Sequence, residues 1–182
     1  MHQILQTLHE DHVNLMKLLT LVRRELHATT EESDADYNLI SDALDYIQNY
    51  ADAVHHVREN QIYARLREVH SEHTALVERM TQEHQQLQQA TIAAIADLTS
   101  ALNDVILDKH SLEESVENYL IAQQDHMSVE EREVFPLIDS VFTEDDWQQV
   151  AASVEADDDP LFGEQIKSRY LSLYESLKAA TD

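Results

Sequence analysis

The sequence predicts an all-α protein, an up-down-up-down four-helix bundle with additional short C-terminal helices. Three observations carry that expectation. Only one Gly and two Pro occur in 182 residues, so few positions interrupt a helix. Ala, Leu, Glu and Gln, all good helix formers, are abundant. Apolar residues also recur at helical spacing. The length suits one domain with a sizeable core.

The first helix is expected from about His2 to His27, with Ile4, Leu5, Leu8, Leu15, Leu18, Leu19 and Val22 on one face. The polar stretch Ala28 to Asp34 supplies turn and N-cap chemistry for the second. That helix extends to about Glu68 through Ile40, Leu44, Ile47, Tyr50, Ala51, Val54, Ile62 and Leu66. A hinge around His70-Ser71-Glu72 opens a third, from Thr74 to Leu107. The fourth starts near Ser111 and ends around Pro136 or shortly after, because proline has no amide to donate and imposes a kink or terminal turn. Short links make these neighbours antiparallel. Residues 1–140 therefore form the bundle, and 141–182 a helical extension packed on it. In that extension Thr143 caps a helix beginning Glu144-Asp145-Asp146-Trp147. After Asp157-Asp158-Asp159-Pro160 and Gly163, a last helix to about Ala179 closes one end of the bundle.

Composition narrows the chemistry. The formal net charge is −24, with 36 acidic residues against 12 basic, which argues against nucleic acid or an anionic membrane as partner. No stretch approaches the ~20 apolar residues that span a bilayer, and no secretory signal is recognisable; a cytoplasmic protein is expected. Cysteine is absent, so disulfides, thiolate zinc sites and cysteine-held iron–sulfur clusters are excluded from this chain. Histidine is plentiful at 11. Imidazole and carboxylate are then the strong ligands left, and they suit iron, manganese, zinc or nickel better than copper(I).

Two matching phrases show where such ligands gather. His55-His56-Val57-Arg58-Glu59 and His126-Met127-Ser128-Val129-Glu130 each set a histidine four residues ahead of a glutamate. On a helix that spacing turns about 40° and rises about 6 Å, so both side chains point the same way. His12 and His84 add one histidine from each of the other two long helices. Four helices sending such residues inward is the arrangement of a carboxylate-bridged dimetal site. His56 lies about 60° from Glu59 around the helix, so it shares the arc that addresses two adjacent ions. Burying these groups without a cation would cost several kcal/mol. His2, His27, His70, His73 and His110 fall at helix ends or in links and read as solvated.

The phrases Leu8-His9-Glu10-Asp11-His12, His55-His56-x-x-Glu59, Glu83-His84 and His126-x-x-x-Glu130-Glu131-x-x-Val134-Phe135-Pro136 resemble, in this order, the haemerythrin-like (HHE cation-binding) family over about residues 1 to 140. The resemblance implies a four-helix bundle around a non-haem di-iron centre with five histidines and two carboxylates. Carried over by position, His12, His55, Glu59, His84, His126 and Glu130 are ligands. The chain departs from the family at Met80, where respiratory haemerythrins have a further histidine one turn before the one matching His84. His56 is the expected replacement, with His9 as the alternative. The cofactor implied is two iron ions, Fe2+ or Fe3+, with an oxo or hydroxo bridge.

On that footing the chain reads as a di-iron protein that binds or senses dioxygen or nitric oxide, with Tyr119 or Tyr50 as a donor to the bound gas. No nucleophile or substrate pocket is legible, so turnover of an organic substrate is not expected. The alternatives are a di-iron enzyme acting on peroxide or nitric oxide, and iron handling or iron–sulfur cluster repair. Iron storage of the ferritin type lacks its Glu-x-x-His motif here, and the cysteine-bearing segment common in the repair proteins is missing. A helical interaction module merely stapled by metal is the remaining reading; no protein partner is indicated.

Overall fold

The computed structural model describes residues 1–28, 36–103, 109–154 and 158–181, and every regular element among them is helical. α1 is Gln3–Leu26. α2 (Tyr37–Tyr46), a π-helical stretch (Ile47–His55) and α3 (His56–Val69) run on as one rod, since the junction residues keep helical dihedrals. A 3-10 turn at Ser71–His73 leads into α4 (Thr74–Leu102). α5 (Lys109–Val129), a second π stretch (Glu130–Val134) and α6 (Phe135–Val141) form another continuous rod. α7 (Glu144–Ser153), a 3-10 turn (Ser168–Tyr170) and α8 (Leu171–Thr181) complete the chain. Among the described residues no helix is long and apolar enough to cross a membrane.

Local chemistry fixes the ends. The Asp36 carboxylate accepts from the amides of Asn38 and Leu39 and so starts α2, a contribution of about 1 kcal/mol. Apart from Ala28, the expected turn to Asp34 lies outside the described residues, as do the expected third-helix end at Leu107 and Asp157. Thr143 and Asp146 form a reciprocal capping box, each accepting from the other's amide. Pro136 does not end its helix. It sits in the first turn of α6, directly after the π stretch, whose wider turn accommodates the missing amide, and the rod continues to Val141.

Two apolar clusters stack along the bundle. One joins Leu5 and Leu8 of α1 with Ile62, Tyr63, Leu66, Met80, Phe135 and Ile138. The other joins Leu18, Val22 and Leu26 with Ile40, Leu44, Leu98, Val116 and Leu120. Their largest members are almost fully enclosed, each leucine contributing roughly 1.5–3 kcal/mol by leaving water. Between the clusters lies a buried polar layer, Asp11, His12, Asp52, His55, His56, Glu59, His84, Gln123, His126 and Glu130.

The extension does more than close one end. Trp147 and Val150 of α7 belong to the first cluster, and Leu161, Tyr170, Leu173 and Leu177 belong to the second. The segment between α7 and α8 leads into the second cluster. Its Asp159 accepts from the Tyr46 hydroxyl at 2.9 Å and from the amides of Leu161 and Phe162, which ties it to the far half of the bundle.

Candidate metal centre

The polar layer brings all seven expected site residues together: His12 from α1, His55, His56 and Glu59 at the π–α3 junction, His84 from α4, His126 from α5, and Glu130 at the start of the second π stretch. Both i,i+4 pairs meet as the helical spacing requires. His55 Nε2 stands 3.2 Å from Glu59 Oε1, and His126 Nε2 stands 3.1 Å from Glu130 Oε1. The π stretches accompany both pairs; such widened turns re-aim side chains and concentrate at functional sites. Here adjacent His55 and His56 are both buried, at 1% and 4% exposure.

The donor atoms divide into two groups that share one carboxylate. His12, His55 and Glu59 form one, and His56, Glu59, His84 and His126 the other, with the atoms of each group within 4.8 Å of one another. Glu59 turns Oε1 to His12 (3.5 Å) and His55, and Oε2 to His84 (3.3 Å). Glu130 does the same, with Oε2 at 3.3 Å from His12 and Oε1 at 3.3 Å from His84. The Nε2 atoms of His12 and His55 face each other at 3.1 Å. Donors held about 2.0–2.2 Å from one ion are spaced by about 3 Å when adjacent around it. Each carboxylate thus spans both groups.

The charge balance of this layer calls for a cation. Both oxygens of Glu59, Oε2 of Glu130 and Nε2 of His126 are buried without a hydrogen-bond partner. Unpaired buried carboxylate oxygens cost several kcal/mol unless a positive charge compensates. In the metal-free chain imidazolium supplies part of it. Burial opposes charging His55, but the Glu59 charge and the Asp11 bond outweigh it and raise its pKa to about 9. His84 is likewise raised to about 9 against burial, by the Glu130 and Glu59 carboxylates that face it. His12 is raised well above its ordinary value against burial, by Glu130, Glu131 and Glu59. Glu59 and Glu130 are held well below the usual carboxylate range, the facing imidazoles overcoming burial. His56 goes the other way, lowered to about 4 by burial and the neighbouring His84 charge. It is a neutral donor already. Five imidazoles and two carboxylates converging on one dry layer fit a pair of metal ions.

A second tier of residues orients the imidazoles. Nδ1 of His55 donates to Asp11 at 3.0 Å, Nδ1 of His84 to Asn60 at 3.0 Å, Nδ1 of His126 to Glu83 at 2.9 Å, and Nδ1 of His12 to Glu131 at 2.8 Å. These bonds fix the tautomer that turns Nε2 inward and strengthen the donor. They also form a closed circle: α1 braces the first π stretch, α3 on the same rod braces α4, α4 braces α5, and the second π stretch braces α1. Each brace is the chain neighbour of a candidate ligand, Asp11 of His12, Asn60 of Glu59, Glu83 of His84 and Glu131 of Glu130. Sequence reasoning passed over these four as braces, although that adjacency was a readable signal. His56 stands outside the circle. Its Nδ1 is 3.3 Å from Asp52, one turn earlier, without hydrogen-bond alignment.

Other expectations sort cleanly. His9 is half exposed, bonds to the outer oxygen of Glu131, and is not among the converging donors, whereas His56 is. Met80 is buried in the apolar cluster next to the layer. Neither Tyr119 nor Tyr50 turns its hydroxyl to the converging donors: Tyr119 meets Thr91 and Gln123, and Tyr50 donates to Asp11 at 3.3 Å. The tyrosine inside the layer is Tyr63, whose hydroxyl donates to Glu130 Oε1 at 2.6 Å. It lies one turn beyond Glu59, and its apolar context in the sequence reads as core. His2 stacks on Trp147 with ring centroids 4.2 Å apart, and His27, His70 and His73 pair with surface acids.

No curated protein and no solved structure matches the chain. The family model of the hemerythrin HHE cation binding domain matches residues 3–138, which contain the whole polar layer and its braces, and the chain belongs to that cation-binding family.

Proposed function

We propose that the centre holds two iron ions, ligated by His12, His55, His56, Glu59, His84, His126 and Glu130, and binds dioxygen or nitric oxide reversibly. The observation that carries this reading is the unequal division of donors. Three imidazoles and two carboxylate oxygens would serve one ion, and two imidazoles and two carboxylate oxygens the other. The second ion is one protein donor short, which is where a small gas has room. Iron is favoured over zinc because tetrahedral zinc needs only four donors, and thiolates are absent. When bound, such a pair supplies a reversible one-electron change at each ion.

The chain's own residues define the setting. Glu59 and Glu130 would each offer one oxygen to either ion, the braces fix the imidazoles, and Tyr63 keeps its proton while donating a hydrogen bond to Glu130. A groove of about 410 Å³ lies against His12 and its brace Glu131, with Val13, Met16 and Met127 on its apolar wall and Gln124, Ser128 and Arg132 among its polar lining. Its largely apolar wall suits an uncharged diatomic.

The test is metal analysis with absorption spectra on protein reduced and then exposed to dioxygen or nitric oxide. About two irons per chain and a spectrum that changes reversibly with gas are the expected results. A single ion, or two ions with a spectrum indifferent to gas, overturns the reading. Steady consumption of oxygen or nitric oxide would make the protein an enzyme instead of a binder.

A further inference from the structure

Outside the centre, the most connected set of groups is a line of tyrosines leading away from it. Asp11, whose Oδ2 accepts from His55, accepts on Oδ1 from the Tyr50 hydroxyl at 3.3 Å. The Tyr50 ring stacks on Tyr46, with centroids 5.5 Å apart and planes inclined by 27°. Tyr46 meets Tyr170 edge-on at 5.6 Å and 86°. These are ordinary aromatic contacts taken singly. What sets them apart is that each hydroxyl has its own carboxylate acceptor: Asp11 for Tyr50, Asp159 for Tyr46 at 2.9 Å, and Asp45 for Tyr170 at 3.0 Å. Asp45 is exposed and also bonded to Arg169, so the line ends at solvent. Packing alone asks for none of these carboxylates.

We propose that Tyr170, Tyr46 and Tyr50 form a relay that carries single electrons from the surface inward to the centre after a peroxide has oxidised it. The inference rests on the reading that the centre holds redox-active iron. The oxidant is hydrogen peroxide, which takes two electrons and two protons to become two waters. One electron at a time passes inward from ring to ring. At Tyr46 the O–H bond breaks as its electron leaves, the proton moves to Asp159, and a neutral phenoxyl remains. The next electron, from Tyr170, returns that proton to Tyr46, and the Tyr170 proton passes to Asp45. A one-electron donor in solution then reduces the Tyr170 phenoxyl, and Asp45 gives the proton back. Two such passages supply both electrons for one peroxide; every relay proton returns to its phenol, so the two protons that the peroxide takes up come from water.

Two properties of the chain support the assignment. Burial, reinforced by nearby carboxylates, raises the pKa of Tyr46 and of Tyr50, so each phenol keeps its proton until oxidised and needs an acceptor at that moment. No cysteine is present to absorb stray oxidising equivalents, which leaves them to aromatic rings such as these tyrosines.

The test has a metal-loaded and a metal-free arm. Iron-loaded protein is mixed with one equivalent of peroxide, freeze-quenched and examined by electron paramagnetic resonance, with ascorbate as the external donor. The expected result is a phenoxyl on Tyr46 or Tyr170 that ascorbate removes. In Tyr46→Phe, at unchanged iron content, that outer radical should be lost and ascorbate reduction slowed. A radical confined to Tyr63, or a Tyr46→Phe protein that behaves as wild type, overturns the relay. In the second arm, Ser168→Cys gives metal-free protein a single attachment point for a ruthenium photosensitiser. A light-generated hole entering at Tyr170 should reach Tyr50 in the otherwise unchanged chain and fail to do so with Tyr46→Phe. Equal transfer in both proteins overturns the relay whatever the metal. Transfer that depends on Tyr46, in a protein that takes up no iron, supports the path and refutes the di-iron reading instead.

Discussion

The two halves of the centre are built differently. His12 and His55, the donors of the smaller half, are each braced by a carboxylate, Glu131 and Asp11. In the larger half only His126 has a hydrogen-bonded carboxylate brace. His84 leans on the neutral amide of Asn60, and His56 faces Asp52 out of alignment. A carboxylate-braced imidazole is the stronger donor. The half with fewer donors therefore has better ones. His56 fits this division: the extra imidazole joins the half that is already well served.

The strongest way to break the comparison is to remove what both halves share. Glu59→Ala should lose both ions together, and should destabilise the metal-free protein by about 3–5 kcal/mol because buried imidazolium is left unpaired. Metal analysis and urea unfolding read the two effects; retention of two tightly held ions would show that Glu59 does not bridge. Next in size is the removal of one donor from each half. His56→Ala should cost one ion and leave the other in place, and His12→Ala should reverse which one survives, a difference visible in the iron spectra. If His56→Ala keeps both ions unweakened, His56 is not a ligand.

Acidity sharpens the contrast between loaded and empty protein. In the empty chain His55 and His84 have pKa values raised from 6.5 to about 9. Their charged forms stabilise the fold fully below pH 6.5, and that stability is lost as pH rises through 9. The melting temperature of metal-free protein should therefore fall over this window. Metal requires the neutral imidazoles, so affinity for it should rise over the same range. Parallel melting curves at pH 6.5 and 9 with and without metal decide the matter; an empty protein more stable at pH 9 would remove the imidazolium account.

A smaller effect is expected from the braces. Asp11→Asn and Glu131→Gln should weaken the two-imidazole half by about 10–100-fold in metal affinity, whereas Asn60→Asp should tighten the other. Equal responses in the two halves would erase the distinction. Smallest of all, His9→Ala should leave metal content unchanged and stability within about 0.5 kcal/mol, as befits an exposed residue that touches only the outer oxygen of Glu131.

Much of this was legible before the fold was known, for identifiable reasons. His55–Glu59 and His126–Glu130 obey a spacing that a helix converts directly into proximity, so the inner groups could be placed from sequence. The braces could not, because in so acidic a chain Asp11, Glu83 and Glu131 look like solvated surface, and nothing local says which helix each will face. The π stretches were equally silent: Ile47, Tyr50, Ala51 and Val54 satisfy an ordinary helical stripe, and the widened turn emerges only when His55 and His56 must both point inward. The placement of the extension depends on Asp159 finding Tyr46, residues 113 positions apart, and no periodicity encodes that meeting.

The circle of braces acts as a vernier on the bundle. A helix that slips by one residue moves about 1.5 Å and turns about 100°, which would carry Asp11 toward the position of His12, or Glu83 toward that of His84. Since the braces beside His12, Glu59, His84 and Glu130 each clasp an imidazole from another helix, one slip spoils two joints at once. The four helices are thereby proofread against one another, and the register that admits metal is the one in which every joint closes.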